Sequence, residues 1–305
     1  MKTSLDHLPE SKQRELARVV EILFSEFEER LAGGKAERHR SGRILKIILF
    51  GSYARGGWVE DPEGGYVSDY DILVVVNHEE LTDVQEYWAK AEDHLVREYA
   101  IGHKLTAPMN FIVHSLTDVN KRLKLGRYFF TDIVRDGIAL YEAPNHPFDQ
   151  PRKLKPAEEL AEAEGFFAEW FGTAGQFLTN ATDNAGRGWG KVAAFNFHQA
   201  TERLYHCLLL VLTLYSPKSH RLNFLRSQAE QLDARLIDAW PRATKFEKRC
   251  FDLLRRAYVD ARYSPHYKIT AEELQWLGER IAALQTLVRE AYEERLADLR
   301  TKVGS

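Results

Sequence analysis

The chain of 305 residues has 42 Lys and Arg against 45 Asp and Glu, a net charge of −3, which excludes nucleic-acid binding driven by a global basic excess. Its composition, 44% hydrophobic and 29% charged, is typical of a folded globular protein. The longest apolar runs, near 206–215 and 45–50, are too short to span a membrane, and the polar start MKTSLDHLPESKQREL does not resemble a signal peptide. We therefore expect a cytoplasmic location and no membrane partner.

The first half of the chain alternates helical and strand patterns. An amphipathic helix is predicted over 9–33, and strands are predicted at RILKIILF (43–50), DILVVV (71–76), APMNFIVHSL (107–116) and IALYEA (138–143). Further helices are predicted over 79–100, 118–126 and 127–137. Mixed helices and strands of this kind predict an α/β domain.

A proline-rich segment separates this half from a helical one. APNHPFDQPRKLKP contains four prolines and no periodic pattern, which predicts a linker over 144–155. Helical patterns then cover 156–183, 189–214, 220–233, 244–262 and 270–300. This half is expected to form a bundle of about five helices.

Two acidic residues lie at the start of the apolar strand DILVVV. Asp69 precedes the strand, and Asp71 is its first residue. In a regular strand Asp69 and Asp71 would point to the same face, roughly 7 Å apart at Cα. Two like charges this close repel each other unless a cation lies between them. Mg²⁺ suits the place, because it binds through one or two carboxylates together with substrate phosphates. Asp69 and Asp71 are therefore predicted metal ligands and catalytic residues, although solvated strand-entry acids are the plainer alternative.

A strand that ends in Gly-Ser lies upstream of these acids. Gly51 allows close approach to the backbone, and Ser52 with nearby N–H groups can donate hydrogen bonds to an anion. Arg55 adds a forked donor for phosphate oxygens. These three residues are predicted to bind phosphate groups.

The segment GSYARG, followed by SDYDILVVV, resembles the signature of the nucleotidyltransferase superfamily with a DNA polymerase β-like palm, in particular its minimal branch. The resemblance covers roughly residues 40–142 and implies an α/β palm with a mixed sheet. It implies ATP or another nucleoside triphosphate as substrate and Mg²⁺ at Asp69 and Asp71. An acceptor hydroxyl would attack the α-phosphate and release pyrophosphate.

One position departs from the family pattern. The family usually has a third carboxylate on a later strand, where this chain has Asn110. An amide cannot accept a proton as a carboxylate does, and it binds metal weakly. Asn110 is thus a predicted site residue. Either the activity of the protein is reduced, or another group takes the place of the acid. His114, on the same face of a regular strand, is a candidate for that group, and an ordinary histidine is the alternative.

The loop between the Gly-Ser turn and the acids contains two aromatic residues. Trp58 and Tyr66 could stack on a nucleotide base, or they could be packing residues. The sequence leaves both interpretations open.

The helical half resembles the HEPN domain, which is often fused to minimal nucleotidyltransferases. AAFNFHQATERLYHCLLLVLTLY matches its long second helix, and KRCFDLLRRAYVDARYSPHY matches the helix with its signature. HEPN ribonucleases use an Arg and a His that meet at a dimer interface, where Arg stabilises phosphate charge and His transfers a proton. Here Arg262 and His266 are separated by a short spacer of three residues, so ribonuclease activity is left open. The resemblance implies a homodimer through this half.

Three further patterns in the helical half have two interpretations each. Tyr263 and Tyr267 could accept AMP, as tyrosines do in some toxin–antitoxin pairs, or could be packing residues. A basic cluster could bind nucleotide or RNA phosphates or form a solvated face, and consists of Arg255, Arg256, Arg262, His266 and Lys268. A polar stripe could line a substrate site or form a seam in the bundle, and consists of His198, Glu202, Tyr205 and His206.

The sequence thus predicts a nucleotidyltransferase domain over 1–143, the linker over 144–155 and a HEPN-like bundle over 156–305. The expected reaction is Mg²⁺-dependent transfer of a nucleoside monophosphate, AMP from ATP, onto a hydroxyl of a protein tyrosine, an RNA end or a small molecule. Two alternatives remain. One is a catalytically weakened nucleotide-binding regulator, and the other is a HEPN ribonuclease restrained by the nucleotidyltransferase half.

Overall fold

The computed structural model describes residues 1–33, 36–61 and 66–304, and it divides into two compact units, Met1–Lys153 and Leu154–Ser305. The first unit contains a mixed sheet with helices, and the second is built from helices. The predicted fold class, an α/β part with a mixed sheet followed by a helical bundle, is therefore confirmed.

The first unit is organised around one four-stranded sheet. Its elements in chain order are α1 (Glu10–Leu31), α2 (Glu37–Ser41), β1 (Ile44–Phe50), α3 (Gly51–Arg55), β2 (Glu60–Asp61), β3 (Tyr66–Val67), β4 (Tyr70–Val76), α4 (Ala89–Ala100), β5 (Met109–Ser115), α5 (Leu116–Lys124), α6 (Tyr128–Asp136) and β6 (Ile138–Glu142). The strand order is β5-β4-β1-β6, in which β1 is antiparallel to β4 and β6 and β4 is parallel to β5. The nearly continuous apolar sequences of β1 and β4 suit central strands that are buried along their whole length.

Helices cover parts of both faces of this sheet. One face belongs to a buried cluster with the apolar stripe of α1, which includes Leu16, Val19, Leu23, Ile47 and Leu49. On the opposite face, the Phe129 ring of α6 lies 5.4 Å from the Phe50 ring of β1, centroid to centroid. Asp71 of β4 is paired with Phe50 and therefore shares this second face.

The single helix predicted over 79–100 is wrong in its first half. The chain instead forms a 3-10 helix at Glu79–Thr82 and a π-helical turn at Val84–Trp88 before α4 begins. Asp83 explains the break, because its side chain accepts a hydrogen bond from the Glu86 N–H and so caps a new turn.

Part of the predicted linker over 144–155 is attached to the first unit. The N–H of Asp149 donates to Asn120 Oδ1 at 2.9 Å, and the Asp149 carboxylate lies 2.9 Å from Lys124 Nζ. The segment therefore runs along α5, and the boundary between the two units falls near the end of the predicted linker.

The second unit consists of α7 (Pro156–Gly186), α8 (Gly190–Thr213), α9 (Leu222–Leu232), α10 (Lys245–Tyr263) and α11 (Ala271–Gly304). Helix α8 is central, because it packs against each of the other four. A 3-10 helix over Ala234–Ala239 lies where the sequence predicted no element, and the Asp233 side chain caps it. Among the described residues, no helix combines the length and the apolar character needed to cross a bilayer.

Candidate active site

The Gly-Ser turn connects β1 to α3 through a backbone conformation that favours glycine. Gly51 has a φ of +76°, in the left-handed region that residues with a side chain rarely adopt. The Ser52 carbonyl closes the turn by accepting hydrogen bonds from the N–H groups of Gly56 and Gly57. The Ser52 side chain is buried, and its Oγ has no hydrogen-bond partner among the described residues. Because such a hydroxyl is unfavourable when left unpaired, this atom indicates a place for a polar ligand group.

Replacing Ser52 by alanine tests this interpretation. Because the hydroxyl has no partner among the described residues, we expect Ser52→Ala to leave the free energy of unfolding almost unchanged. We expect its affinity for a non-hydrolysable ATP analogue to fall about tenfold, through loss of one hydrogen bond to a charged phosphate. Calorimetric titration measures this change, and Ser25→Ala is the control for an ordinary serine on α1. Equal affinities of Ser52→Ala and wild type would contradict the interpretation.

The two acids and Asn110 come together at one end of the sheet. In the strand register Asp71 lies between Phe50 of β1 and Asn110 of β5, and Asp71 is fully buried. Asp69 precedes β4, which begins at Tyr70, so it is not part of the regular strand. The Asn110 amide Nδ2 donates a hydrogen bond to Asp69 Oδ2 at 2.7 Å. The amide therefore holds one of the two carboxylates and lies beside the other.

The loop between the Gly-Ser turn and the acids is fastened next to Asp69. The N–H of Ser68 donates to the Val59 carbonyl, and the N–H of Val59 donates to Ser68 Oγ, both at 2.9 Å. Trp58 stacks on Tyr53 with ring centroids 5.4 Å apart and an angle of 13° between the planes. Trp58 thus has a packing role, and the Tyr66 side chain lies outside the described residues.

Arg55 lies exposed at the end of α3, where its charge acts on α6. Burial raises the pKa of Asp132, and the guanidinium groups of Arg135 and Arg55 oppose that shift. For Asp136 the hydrogen bond from Arg135 is the main cause of a lowered pKa, and Arg55 contributes to it. Arg55 therefore stands near acidic groups of α6 as well as near the turn.

His114 is too far along β5 to replace the missing acid. It lies four residues beyond Asn110, which is roughly 13 Å in a strand. Its Nδ1 lies 2.7 Å from Asp118 Oδ2, and its ring packs edge-on against Phe130 at 5.1 Å. His114 lies on the same face of β5 as Asn110, as the sequence predicted. Its contacts with Asp118 and Phe130 are those of a structural histidine.

The charged Asp118 side chain is expected to stabilise the fold at neutral pH and to lose this contribution in acid. Burial disfavours its charge, yet hydrogen bonds from His114 and Arg122 lower its pKa to about 2. A lowered carboxyl pKa contributes stability that is complete above the unfolded-state pKa near 4 and is lost as pH falls towards 2. We expect Asp118→Asn to reduce the free energy of unfolding by about 2 kcal/mol at neutral pH, and much less near pH 2.

Denaturant titrations between pH 7 and pH 2 measure this difference. Asp252→Asn is a suitable control, because the exposed pairs of Asp252 with Arg255 and Arg256 should contribute little. A loss of stability in Asp118→Asn that stays constant with pH would contradict the prediction.

The donor set at this end of the sheet fits one divalent cation shared with phosphates. Asp69 and Asp71 supply carboxylate oxygens, and Ser52 lies just beyond the strand that pairs with Asp71. Within the part of the chain that the structure describes, no group of three or more His, Cys, Asp or Glu side chains could hold a metal on its own. A cation bound by two carboxylates would take its other ligands from substrate phosphates and water.

Comparison with known proteins finds two domain families in the chain. The family model of the nucleotidyltransferase domain matches residues 35–121, and that of the HEPN domain matches residues 167–291. A protein of Methanocaldococcus jannaschii with the name "Putative protein adenylyltransferase" is 36% identical over 101 residues, which cover 33% of this chain and 81% of that protein. The chain belongs to the nucleotidyltransferase family and carries a HEPN domain. The predicted resemblance to both is confirmed.

In the HEPN unit, Arg262 and His266 lie on either side of the end of α10. Arg262 Nε donates to the Tyr258 carbonyl at 2.5 Å, and its guanidinium lies 4.4 Å from the centre of the Tyr258 ring. His266 is exposed beyond the helix, and its N–H donates to Ser264 Oγ at 3.2 Å. The contacts of the described residues include none between Arg262 and His266. A pairing of Arg262 with His266 at a dimer interface, as in HEPN ribonucleases, therefore stays a prediction.

The two candidate tyrosines of this unit differ in accessibility. Tyr263 is 74% exposed, whereas Tyr267 is 2% exposed and its hydroxyl donates to the Leu253 carbonyl at 2.9 Å. Tyr267 is thus a core residue, and Tyr263 is the accessible one. Sequence spacing could not separate them, because the helix ends between the two.

The predicted basic cluster is partly neutralised. Arg255 is paired with Asp252, and Arg256 lies 2.7 Å from Asp260 and 3.4 Å from Asp252. These intrahelical ion pairs favour the solvated-face interpretation for the middle of α10.

The polar stripe of α8 faces the interior of the HEPN unit. All four side chains are buried and hydrogen-bonded to residues of the same unit. The partners are the Leu254 carbonyl for His198, His220 for Glu202, Trp240 for Tyr205, and Ser216 and Ser219 for His206. These contacts favour the interpretation of a polar seam in the bundle.

A polar group on α1, below the nucleotidyltransferase site, was not predicted from the sequence. Lys12 and Glu15 are buried on the inner side of α1, on the same stripe as Leu16 and Val19. Charged residues on an apolar stripe were a signal that could have identified them, because buried charges need partners.

Proposed function

We propose that the nucleotidyltransferase unit transfers a nucleoside monophosphate, AMP from ATP, to a hydroxyl in a reaction that needs Mg²⁺. One observation carries the proposal: two kinds of side chain, carboxylates and a hydroxyl, lie at the same end of the sheet. The register sets Asp71 beside Phe50 and Asn110, and Ser52, whose buried Oγ has no partner in the described part of the chain, follows Phe50 closely in the sequence. The carboxylates suit a cation, while the hydroxyl and the glycine turn suit phosphate oxygens.

In this proposal Asp69 and Asp71 hold the cation, which when bound offsets phosphate charge and polarises the α-phosphate. Ser52 Oγ donates a hydrogen bond to a phosphate oxygen, and Gly51 lets the backbone approach the triphosphate. The acceptor oxygen bonds to the α-phosphorus while the bond to the pyrophosphate oxygen breaks. The hydroxyl proton passes to a carboxylate or to water, because the Asn110 amide cannot accept it.

A protein tyrosine is the acceptor that we propose. The name of the Methanocaldococcus jannaschii relative supports a protein acceptor, and the HEPN domain supports a tyrosine of the kind modified in toxin–antitoxin pairs. In this chain Tyr263 is the accessible candidate. We further propose a cytoplasmic protein that forms a homodimer through its HEPN unit, and light scattering of the purified chain tests the dimer.

Labelled ATP tests the proposed function. The full chain is incubated with α-labelled ATP, Mg²⁺ and acceptor proteins, and label is located by mass spectrometry. We expect transfer by wild type and Tyr267→Phe, no transfer by Asp69→Ala/Asp71→Ala, and no self-labelling of Tyr263→Phe. If wild type and the double variant are both labelled only at the background level, the enzymatic proposal is refuted.

A second candidate is a nucleotide-binding regulator with weakened catalysis. The hydrogen bond from Asn110 to Asp69 favours it, because an amide stands where a carboxylate is usual and cannot act as a base. Calorimetry separates the two candidates. ATP binding that depends on Ser52 without any turnover supports the regulator, whereas pyrophosphate release supports the transferase.

A further inference from the structure

A buried carboxylate on α1 connects the ends of the two strands that carry the site residues. Glu15 is 7% exposed and accepts three hydrogen bonds. The Tyr70 hydroxyl donates to it at 3.0 Å, and Thr106 donates through its N–H at 2.9 Å and through Oγ1 at 2.8 Å. This carboxylate has hydrogen-bond donors on both oxygens and is well satisfied despite its burial.

Both partners of Glu15 stand next to the candidate catalytic residues. Tyr70 lies between Asp69 and Asp71, and strand alternation turns its side chain to the opposite side from Asp71. Its N–H donates to the Pro108 carbonyl at 2.8 Å, which joins the start of β4 to the approach to β5. Thr106 lies on that same approach, upstream of Asn110. Glu15 thus connects the start of β4 to the approach to β5, from the face of the sheet opposite Asp71.

Lys12 extends the same network to the phosphate turn and the loop. Its Nζ lies 2.5 Å from Thr106 Oγ1 and 2.5 Å from Glu60 Oε1. The same Nζ lies 5.7 Å from the ring centre of Tyr53 and 5.8 Å from that of Tyr70. Because Tyr53 directly follows Ser52, Lys12 contacts the turn, the loop and the strand ends together.

The Tyr70 hydroxyl donates a hydrogen bond to Glu15 at 3.0 Å. The tyrosine ring also packs against Tyr53 with centroids 4.4 Å apart. Removing the hydroxyl alone would leave this packing in place while releasing the strand end from Glu15.

We propose that Glu15, acting through Tyr70 and Thr106 and supported by Lys12, is a positioning residue that sets the separation of Asp69, Asp71 and Asn110. It contacts neither the nucleotide nor the cation, and it acts from the face of the sheet opposite the carboxylates. The inference rests on the proposed nucleotidyl transfer, whose geometry it deepens. Displacement of catalytic groups by small distances reduces turnover more than it reduces substrate binding.

The test uses Tyr70→Phe and Glu15→Gln in the full chain, assayed below their unfolding temperatures. We expect Tyr70→Phe to lower kcat about tenfold and to raise the half-saturating Mg²⁺ concentration, with KM for ATP nearly unchanged. Glu15→Gln should change kcat and the half-saturating Mg²⁺ concentration in the same directions and leave KM for ATP nearly unchanged. Its loss of kcat should be larger. Tyr70→Phe keeps the inference testable if Glu15→Gln does not fold, because it removes one oxygen only.

Glu98→Gln is the matched control. It weakens another ion pair that joins α1 to the rest of the unit, through Arg18, and the other side-chain partners of Glu98 are His94 and Lys104, not Tyr70 or Thr106. If Tyr70→Phe retains the wild-type kcat, or if Glu98→Gln loses as much kcat at equal stability, the positioning inference is overturned. A wild-type protein with no transfer, matched by Asp69→Ala/Asp71→Ala, would instead refute the proposed function. The two failures are therefore distinguishable.

Discussion

Asp71→Asn is expected to lower nucleotidyl transfer about a thousandfold, which corresponds to a loss of about 4 kcal/mol of transition-state stabilisation. Asp71 is fully buried between Phe50 and Asn110 and is one of two carboxylates that suit the cation. The amide has nearly the same shape as the carboxylate, so packing should persist while half of the negative charge at the cation site is lost. Initial rates of labelled AMP transfer at saturating ATP measure the effect.

Two controls make this result specific. Asp118→Asn removes a carboxylate from α5 just beyond β5, and we expect it to transfer at the wild-type rate at neutral pH. The unfolding midpoint of Asp71→Asn should show that the protein is folded at the assay temperature. A folded Asp71→Asn protein that keeps more than about a tenth of wild-type activity would exclude a metal-holding role for this residue.

Asn110→Asp is expected to make the site strongly dependent on divalent cations. Asn110 is buried, donates to Asp69 and is in register with Asp71, so the change would place a third carboxylate beside two others. Without metal, mutual repulsion and the lost hydrogen bond should lower the free energy of unfolding by about 2 kcal/mol or more. With Mg²⁺, the added charge should tighten cation binding about tenfold or more.

Thermal unfolding with and without Mg²⁺ measures both effects. Asn110→Ala is the matched control, because it removes the hydrogen bond to Asp69 without adding charge. Both variants should lose stability without metal, and added Mg²⁺ should restore more of it in Asn110→Asp than in Asn110→Ala. The same Mg²⁺ response in the two variants would show that a carboxylate at position 110 contributes nothing to cation binding.

The role of Asn110 also decides between the two candidate functions. An amide that fastens Asp69 preserves the arrangement of the site while removing one possible base. If Asn110→Asp gains activity over wild type, the natural chain is a slow transferase. If neither protein turns over ATP but both bind it, the regulator is favoured.

Much of the first unit could be predicted because its signals are local. The strand predicted at 43–50 is observed as Ile44–Phe50, and the one predicted at 71–76 is observed as Tyr70–Val76. Continuous apolar runs bounded by glycine and polar residues define such strands without knowledge of their neighbours. The helix over 79–100 was predicted wrongly, because one capping side chain, Asp83, outweighed the helical periodicity around it.

Candidate site residues that are close in the chain were predictable from their types and spacing. Gly51, Ser52, Asp69 and Asp71 carry their chemistry in two short segments, and the positive φ of Gly51 agrees with the requirement for glycine there. Residues whose roles depend on packing were not separable. Tyr263 and Tyr267 have equal standing in the sequence, yet the end of α10 leaves one exposed and buries the other.

The sequence by itself determined the order of an α/β unit and a helical bundle, the phosphate-type turn and the pair of acids. Only the tertiary structure showed that Asn110 donates a hydrogen bond to Asp69, that His114 is paired with Asp118, and that Tyr70 donates a hydrogen bond to Glu15. The physical reason is distance along the chain. Propensity and periodicity act over a few residues, whereas strand register and helix packing join groups that are 41 and 55 residues apart, as in Asn110–Asp69 and Tyr70–Glu15.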